Sequence, residues 1–291
     1  MTTRTEFTLI NPQTKTLAFS LFVFEDGKCF QPLKNYGYYS LMLVLEGAGT
    51  FQADTHEYEF SRHSLLCFSI YQAFMVRPDA EFSGVLIQFH PDFFCIHKHQ
   101  EEVACNGVLF NNTYETPMIP LDGSSASALL AIVDSLKLEM QNAAVAQYEL
   151  LVAYLKIFLI QASRVRLLHR GATEVEGKEQ EPFILKTLKD AIEEHFRSKH
   201  SPREYASLLN ITTRALNRLS KSFFKKTLTG VIAERIMIEA KRELYLTAKS
   251  VKLIAYELGF DDEFYFSRFF KNNATVSPQV YRETVGFAKG E

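Results

Sequence analysis

The sequence predicts an α+β protein of two domains. A small β-barrel with two packing helices comes first, and an all-α domain built from two helix-turn-helix units follows. Three observations carry this reading. Short apolar, aromatic-rich runs separated by turn residues fill positions 17–89, the pattern of a sandwich or small barrel. Apolar residues then recur at helical spacing from Leu129 to Val165. Finally, a short helix, a tight turn and a second helix with a basic outer face appear twice after residue 182, about fifty residues apart.

The chain has 291 residues, enough for two domains. Its net charge of -2 hides a division. Residues 182–291 carry 19 Lys+Arg against 13 Asp+Glu, a net of +6, while residues 1–181 carry 13 against 21, a net of -8. An acidic first part joined to a basic last part fits a control domain attached to a polyanion binder. The longest apolar run, LLVAYLKIFLI (150–160), is shorter than the roughly 20 residues a membrane span needs, and Lys156 interrupts it. The first residues, MTTRTEFTLI, lack a basic-then-apolar signal layout. Cys29, Cys67, Cys95 and Cys105 form no CxxC. A reducing cytoplasm is expected, with no membrane association.

In the first half, LAFSLFVF (17–24), YYSLMLVLEGAGTF (38–51), HEYEF (56–60), SLLCFS (64–69) and FSGVLIQF (82–89) read as strands. A barrel of this size can enclose a small ligand. Catalytic equipment is not expected. His56 and His63 stand apart, and His97-Lys98-His99 reads as a solvated basic cluster rather than a metal site. His63 and Cys67 read as structural or cavity-lining. Neither a metal nor a cofactor is expected.

Residues 121–170 read as a helical dimerisation segment. Leu129, Ile132, Val133, Leu136 and Met140 mark one helical face. A second helix runs from about Val145 to His169, with its seam at Tyr148, Leu151, Leu155, Phe158, Ala162 and Val165. Its middle is apolar nearly all round, so one side can pack on the barrel and the other on a second copy of the chain. GATEVEGKEQE (171–181) reads as a polar linker.

The last domain opens at Pro182. Ser201 and Pro202 read as N-cap and first helical residue, and Asn210 as a left-handed stop. Thr212 caps the next helix, whose inner face is Leu216, Leu219 and Phe223. Thr213, Arg214, Asn217, Arg218 and Lys221 are left facing outward. In the second copy, Gly259 makes the turn, Asp261 or Asp262 caps, and Phe266, Phe269 and Phe270 face inward. Ser267, Arg268 and Lys271 face out. Glu263 lies near the same face, either accepting from cytosine N4 or remaining a solvated carboxylate. Tyr265 is expected against the linking helix. Setting Leu216 on Phe266 pairs Arg218 with Arg268 and Lys221 with Lys271, with one extra residue in the second turn. Between the copies, TGVIAERIMIEAKRELYL (229–246) reads as one helix of about 27 Å. That length suits two recognition helices about 34 Å apart, one DNA turn.

LNRLSK (216–221), ERIMIEAKREL (234–244), IAYELGFDDEFYFSRFFK (254–271) and SPQVYR (277–282) closely resemble the AraC/XylS family of transcription regulators. Residues 39–51, 59–68 and 85–94 resemble that family's N-terminal cupin-like domain, with Ser61-Arg62-His63 where Pro-Gly-Asp is common. The resemblance implies boundaries of 1–120 for a cupin-like sensor and 182–291 for a double helix-turn-helix domain. It implies a homodimer on double-stranded promoter DNA that activates or represses transcription. A small-molecule effector would bind in the barrel, and RNA polymerase would be the partner of an activator. The family has Gly after each recognition helix where this chain has Lys225 and Thr275. A different helix-end geometry, or weaker DNA binding, is therefore expected. Two further readings are a cupin-type metalloenzyme fused to a DNA-binding tail, and a ligand-independent adaptor tethered to DNA.

Overall fold

The computed structural model describes residues 5–12, 14–26, 28–103, 107–142, 144–175 and 183–285. The chain forms two compact units, residues 1–112 with 117–173, and residues 113–116 with 174–291.

The first unit contains β1 (Thr5–Ile10), β2 (Leu17–Phe24), β3 (Tyr39–Glu46), β4 (Gly49–Ala53), β5 (His56–Phe60), β6 (Ser64–Phe68), β7 (Phe74–Pro78) and β8 (Ser83–Phe89). A short helix, α1 (Gln100–Val103), and β9 (Met118–Pro120) follow. The strands make two antiparallel sheets, ordered β1-β2-β8-β3-β6-β9 and β5-β4-β7. These two sheets make up the expected N-terminal β-domain. Strands β1, β7 and β9 were not legible in the sequence. β1 is an edge strand of alternating, only half-buried residues, β7 is short and ends in Pro78, and β9 has three residues.

Aromatic side chains fill the space between the sheets. Phe24, Phe51, Phe60, Phe68, Phe74 and Phe82 are all buried in one cluster with Met42 and Leu66. The rings of Phe68 on β6 and Phe74 on β7 stack at 4.0 Å between centroids, tying one sheet to the other. Phe82 packs on Phe24 at 5.0 Å and on Phe60 at 5.4 Å. Aromatic pairs at such distances add to the large apolar area each ring removes from water. His63 occupies the β5–β6 turn at φ 58, and its backbone N–H donates to Val44 O at 3.1 Å.

Two long helices complete this unit, α2 (Gly123–Gln141) and α3 (Gln147–Val175). The Asp122 carboxylate caps α2 by accepting from Ser125 N at 2.7 Å, and this bond with that of Ser124 lowers its pKa. Leu129, Ile132, Val133 and Leu136 are buried as the helical spacing predicts. On α3, Leu151, Leu155, Phe158 and Ala162 are also buried within the chain. Four of the six seam residues read from the sequence therefore face inward, while Tyr148 is exposed and Val165 half-buried. A different stripe faces out: Leu150, Ile157, Arg164 and Leu168 are exposed, with Tyr154 and Gln161 half-buried between them. α3 continues through Gly171 to Val175, beyond the end expected at His169. The rest of the expected linker, 176–181, lies outside the described residues, as does Cys105.

The second unit is helical: α4 (Phe183–His195), α5 (Pro202–Leu208), α6 (Thr213–Phe223), α7 (Leu228–Leu246), α8 (Val251–Glu257), α9 (Glu263–Ala274) and α10 (Pro278–Val285). Leu185, Leu188 and Ile192 form the buried stripe of α4, whereas Phe183 is exposed. The 19 residues of α7 span about 28 Å. Midway along it, Glu239 is 4% exposed and is paired with Arg197 at 2.6 Å, Arg242 at 2.9 Å and Arg235 at 3.5 Å. Among the described residues no helix is long and apolar enough to cross a membrane.

Truncating Phe68 removes the ring that joins the two sheets and leaves a cavity. Phe68→Ala should cost about 3–5 kcal/mol, read as a lower urea midpoint. A cost under about 1 kcal/mol, within the range of surface substitutions, would mean that the sheets do not share a core.

Candidate nucleic-acid interface

Two helix pairs, α5–α6 and α8–α9, are built by the same local devices. The first begins at Ser201. Its hydroxyl donates to Glu204 Oε2 at 2.7 Å and its N–H at 2.9 Å, which holds the Glu204 carboxyl below its ordinary pKa. The second begins at Ser250, whose Oγ accepts from Leu253 N at 3.1 Å. Each turn passes through one left-handed residue, Asn210 at φ 54 and Gly259 at φ 78. After it, Ile211 N donates to Ala206 O and Phe260 N to Ala255 O, both at 3.0 Å. Asn tolerates this conformation and Gly adopts it freely. Gly259 is required for a second reason. A Cβ there would lie 2.0 Å from Arg197 O.

The caps of α6 and α9 differ in chemistry but not in role. Thr212 Oγ1 accepts from Ala215 N at 3.2 Å. The two carboxylate oxygens of Asp262 accept from Phe264 N at 3.1 Å and Tyr265 N at 3.0 Å. Of the two aspartates offered by the sequence, Asp262 is the cap, and Asp261 is the extra residue of the second turn.

With Leu216 set on Phe266, burial repeats along the two helices. Leu216 and Ser220 are buried, as are Phe266 and Phe270. Arg214, Arg218 and Lys221 are exposed on α6, and Phe264, Arg268 and Lys271 on α9. Thr213 and Asn217, and their counterparts Glu263 and Ser267, are half-buried. Of the nine residues expected to face outward, five are thus exposed and four half-buried. The Asn217 amide donates to Thr213 O at 3.1 Å, back onto its own helix.

Two aromatic residues depart from the expectation. Tyr265 is 58% exposed, and its ring neighbours are Phe260 at 5.9 Å and the Arg268 guanidinium at 6.0 Å. It is a surface residue of α9 rather than a packing residue. Phe264, 77% exposed, was overlooked. The signal was present, because the pairing of Leu216 with Phe266 also pairs Phe264 with Arg214.

The helix ends correct a second expectation. Lys225 and Thr275 adopt φ 57 and φ 63. Both α6 and α9 are therefore followed by the left-handed conformation that glycine favours, not by a different geometry. The chain then enters the next helix through matched caps, Thr227 Oγ1 accepting from Gly230 N and Ser277 Oγ from Val280 N. A side chain in this conformation is strained, and a β-branched one more so. Thr275→Gly and Lys225→Gly should each stabilise the domain by about 0.5–1 kcal/mol, the first more than the second. Thermal unfolding would register this as a rise in Tm, and a fall for both variants would contradict the strain.

Residues 205–284 match the family model described as "Helix-turn-helix domain". The chain is 31% identical over 117 residues to the HTH-type transcriptional activator RhaS of Enterobacter sp. (strain 638), covering 40% of this chain and 42% of that protein. It is 27% identical over 115 residues to the raffinose operon transcriptional regulatory protein RafR of Pediococcus pentosaceus, covering 40% and 41%. The chain thus spans less than half the length of these curated relatives. Among solved structures, the C-terminal domain of AraT, a response regulator from Geobacillus stearothermophilus, is 25% identical with a TM-score of 0.37, over 39% of this chain and 94% of that one. ToxT from Vibrio cholerae is 14% identical with a TM-score of 0.39, over 97% and 98%. Residues 205–284 of this chain are a helix-turn-helix domain of the AraC type.

Proposed function

We propose that the chain is a sequence-specific DNA-binding transcription regulator. One observation carries this reading: two capped helices repeat the same exposure pattern and present Arg218 and Arg268, with Lys221 and Lys271, at equivalent outward positions. In the major groove an Arg fork can bond guanine O6 and N7, while Lys meets phosphate as a point charge. Arg218 and Arg268 are the base-reading residues, supported by Arg214. Thr213, Asn217, Glu263 and Ser267 border the same surface, and Lys221 and Lys271 anchor the DNA backbone. The relatives named as transcriptional activators favour activation, with RNA polymerase as the further partner. The β-rich first unit is the control element, and its input is a small-molecule effector. The site of action is the cytoplasm.

The active form is a homodimer joined through the outer stripe of α3. Leu150, Tyr154, Ile157, Gln161, Arg164 and Leu168 follow the alternating four- and three-residue spacing of a coiled-coil seam. Leu150, Ile157 and Leu168 are 40%, 44% and 73% exposed, and a second helix would cover them.

Sites selected from a random duplex library should show one preferred sequence. On it, Arg218→Ala and Arg268→Ala should each lose about 1–3 kcal/mol and relax specificity at one base pair, whereas Lys221→Ala should lower the salt slope by about one. Gel shifts at several salt concentrations measure both effects. Arginine variants that bind the selected site unchanged would reject the assigned face. In sedimentation, the wild type should be a dimer and Ile157→Asp a monomer. A wild-type monomer would reject the α3 seam.

A further inference from the structure

We infer that Phe264 reads a thymine, its ring packing against the base's C5-methyl group in the major groove. The inference rests on the DNA-binding reading above and names a specificity determinant within it. Phe264 stands first on the outer stripe of α9, followed by Arg268 and Lys271 at steps of four and three residues, so all three share one helix face. On α6 the same stripe is Arg214, Arg218 and Lys221. The two stripes match in exposure and in their last two residues and differ in the first, where α6 has a guanidinium and α9 a phenyl ring.

A single exposed apolar side chain is ordinary on a protein surface. Three features set this one apart. At 77% exposed, its ring lies almost wholly outside the core to which Phe266 and Phe270 belong. Its backbone is fixed, since Asp262 accepts from the N–H of Phe264 and of Tyr265. It also lies in the first turn of the helix, the part of a recognition helix that meets base edges. Asp261, Asp262 and Glu263 precede it, and these carboxylates disfavour a phosphate at this end of the helix.

The chemistry of the groove then selects the base. All four bases present hydrogen-bonding groups there, thymine through O4, and a phenyl ring satisfies none of them. Thymine presents a methyl group, the one apolar feature on a base edge. Phe264 and Arg268 are four residues apart, about 6 Å along the helix. The thymine therefore lies within about two base pairs of the pair read by Arg268.

The test uses the full chain and the duplex it selects from a random library. Each thymine in that duplex is replaced in turn by uracil, which removes only the methyl group. Replacement at one thymine near the Arg268 base pair should weaken wild-type binding about three- to fivefold, the loss expected for one methyl group returned to water. The same replacement should leave Phe264→Ala unaffected. Phe264→Arg, which copies Arg214, should move the preference at that pair from thymine to guanine. A strong selected site with no methyl-sensitive thymine would overturn this inference and leave DNA binding intact, as would equal sensitivity in wild type and Phe264→Ala. A chain that selects no sequence would overturn both.

Discussion

The Glu239 carboxylate, buried midway along α7, constrains the helical unit more than any other single group. A carboxylate removed from water is costly unless it is paired and hydrogen-bonded. Arg197 and Arg242 bond one of its oxygens and Arg235 lies near the other. Arg197 follows α4 in sequence, so this pairing fastens the entry of the unit to the middle of its connecting helix. The same residue reaches the second helix pair through its backbone, because its carbonyl oxygen occupies the space where a Cβ on Gly259 would stand. One arginine thereby joins the first helix, the connector and the second turn. The proposed reading of DNA by both α6 and α9 requires such a rigid frame.

Legibility in the sequence followed the range of the forces involved. Caps and turns are local. Ser201, Pro202, Asn210, Thr212 and Gly259 set the local conformation and could be read directly, while the cap of α9 was narrowed only to Asp261 or Asp262. The long β3 and β8 strands were legible from their apolar runs, while β7 and β9 are strands only because a neighbouring strand supplies their hydrogen bonds. α3 was ambiguous for a different reason. A helix apolar nearly all round has no dominant face, so periodicity located the helix without deciding which stripe turns inward. Phe264 was hidden among aromatic neighbours. In FYFSRFF, burial of Phe266 and Phe270 is evident, but nothing local separates a core phenylalanine from one facing solvent. Only the internal repeat does so.

Lys225 and Thr275 show that a fold can impose backbone conformations its residues disfavour. Each is followed at two residues by a cap that starts the next helix. The chain must reverse within that distance, and the left-handed state achieves it. The neighbouring packing, with Ala274 and Pro278 buried on either side of Thr275, holds the residue there.

Two helices that share a scaffold but differ at their leading residue have a further consequence. If both bind DNA as proposed, Arg214 and Phe264 make the two contact surfaces unlike. A segment of DNA that fits them in one orientation would then not fit when turned end for end. A chain bound in that way would point along the duplex, and a genome's strand sense would become something a single polypeptide can recognise.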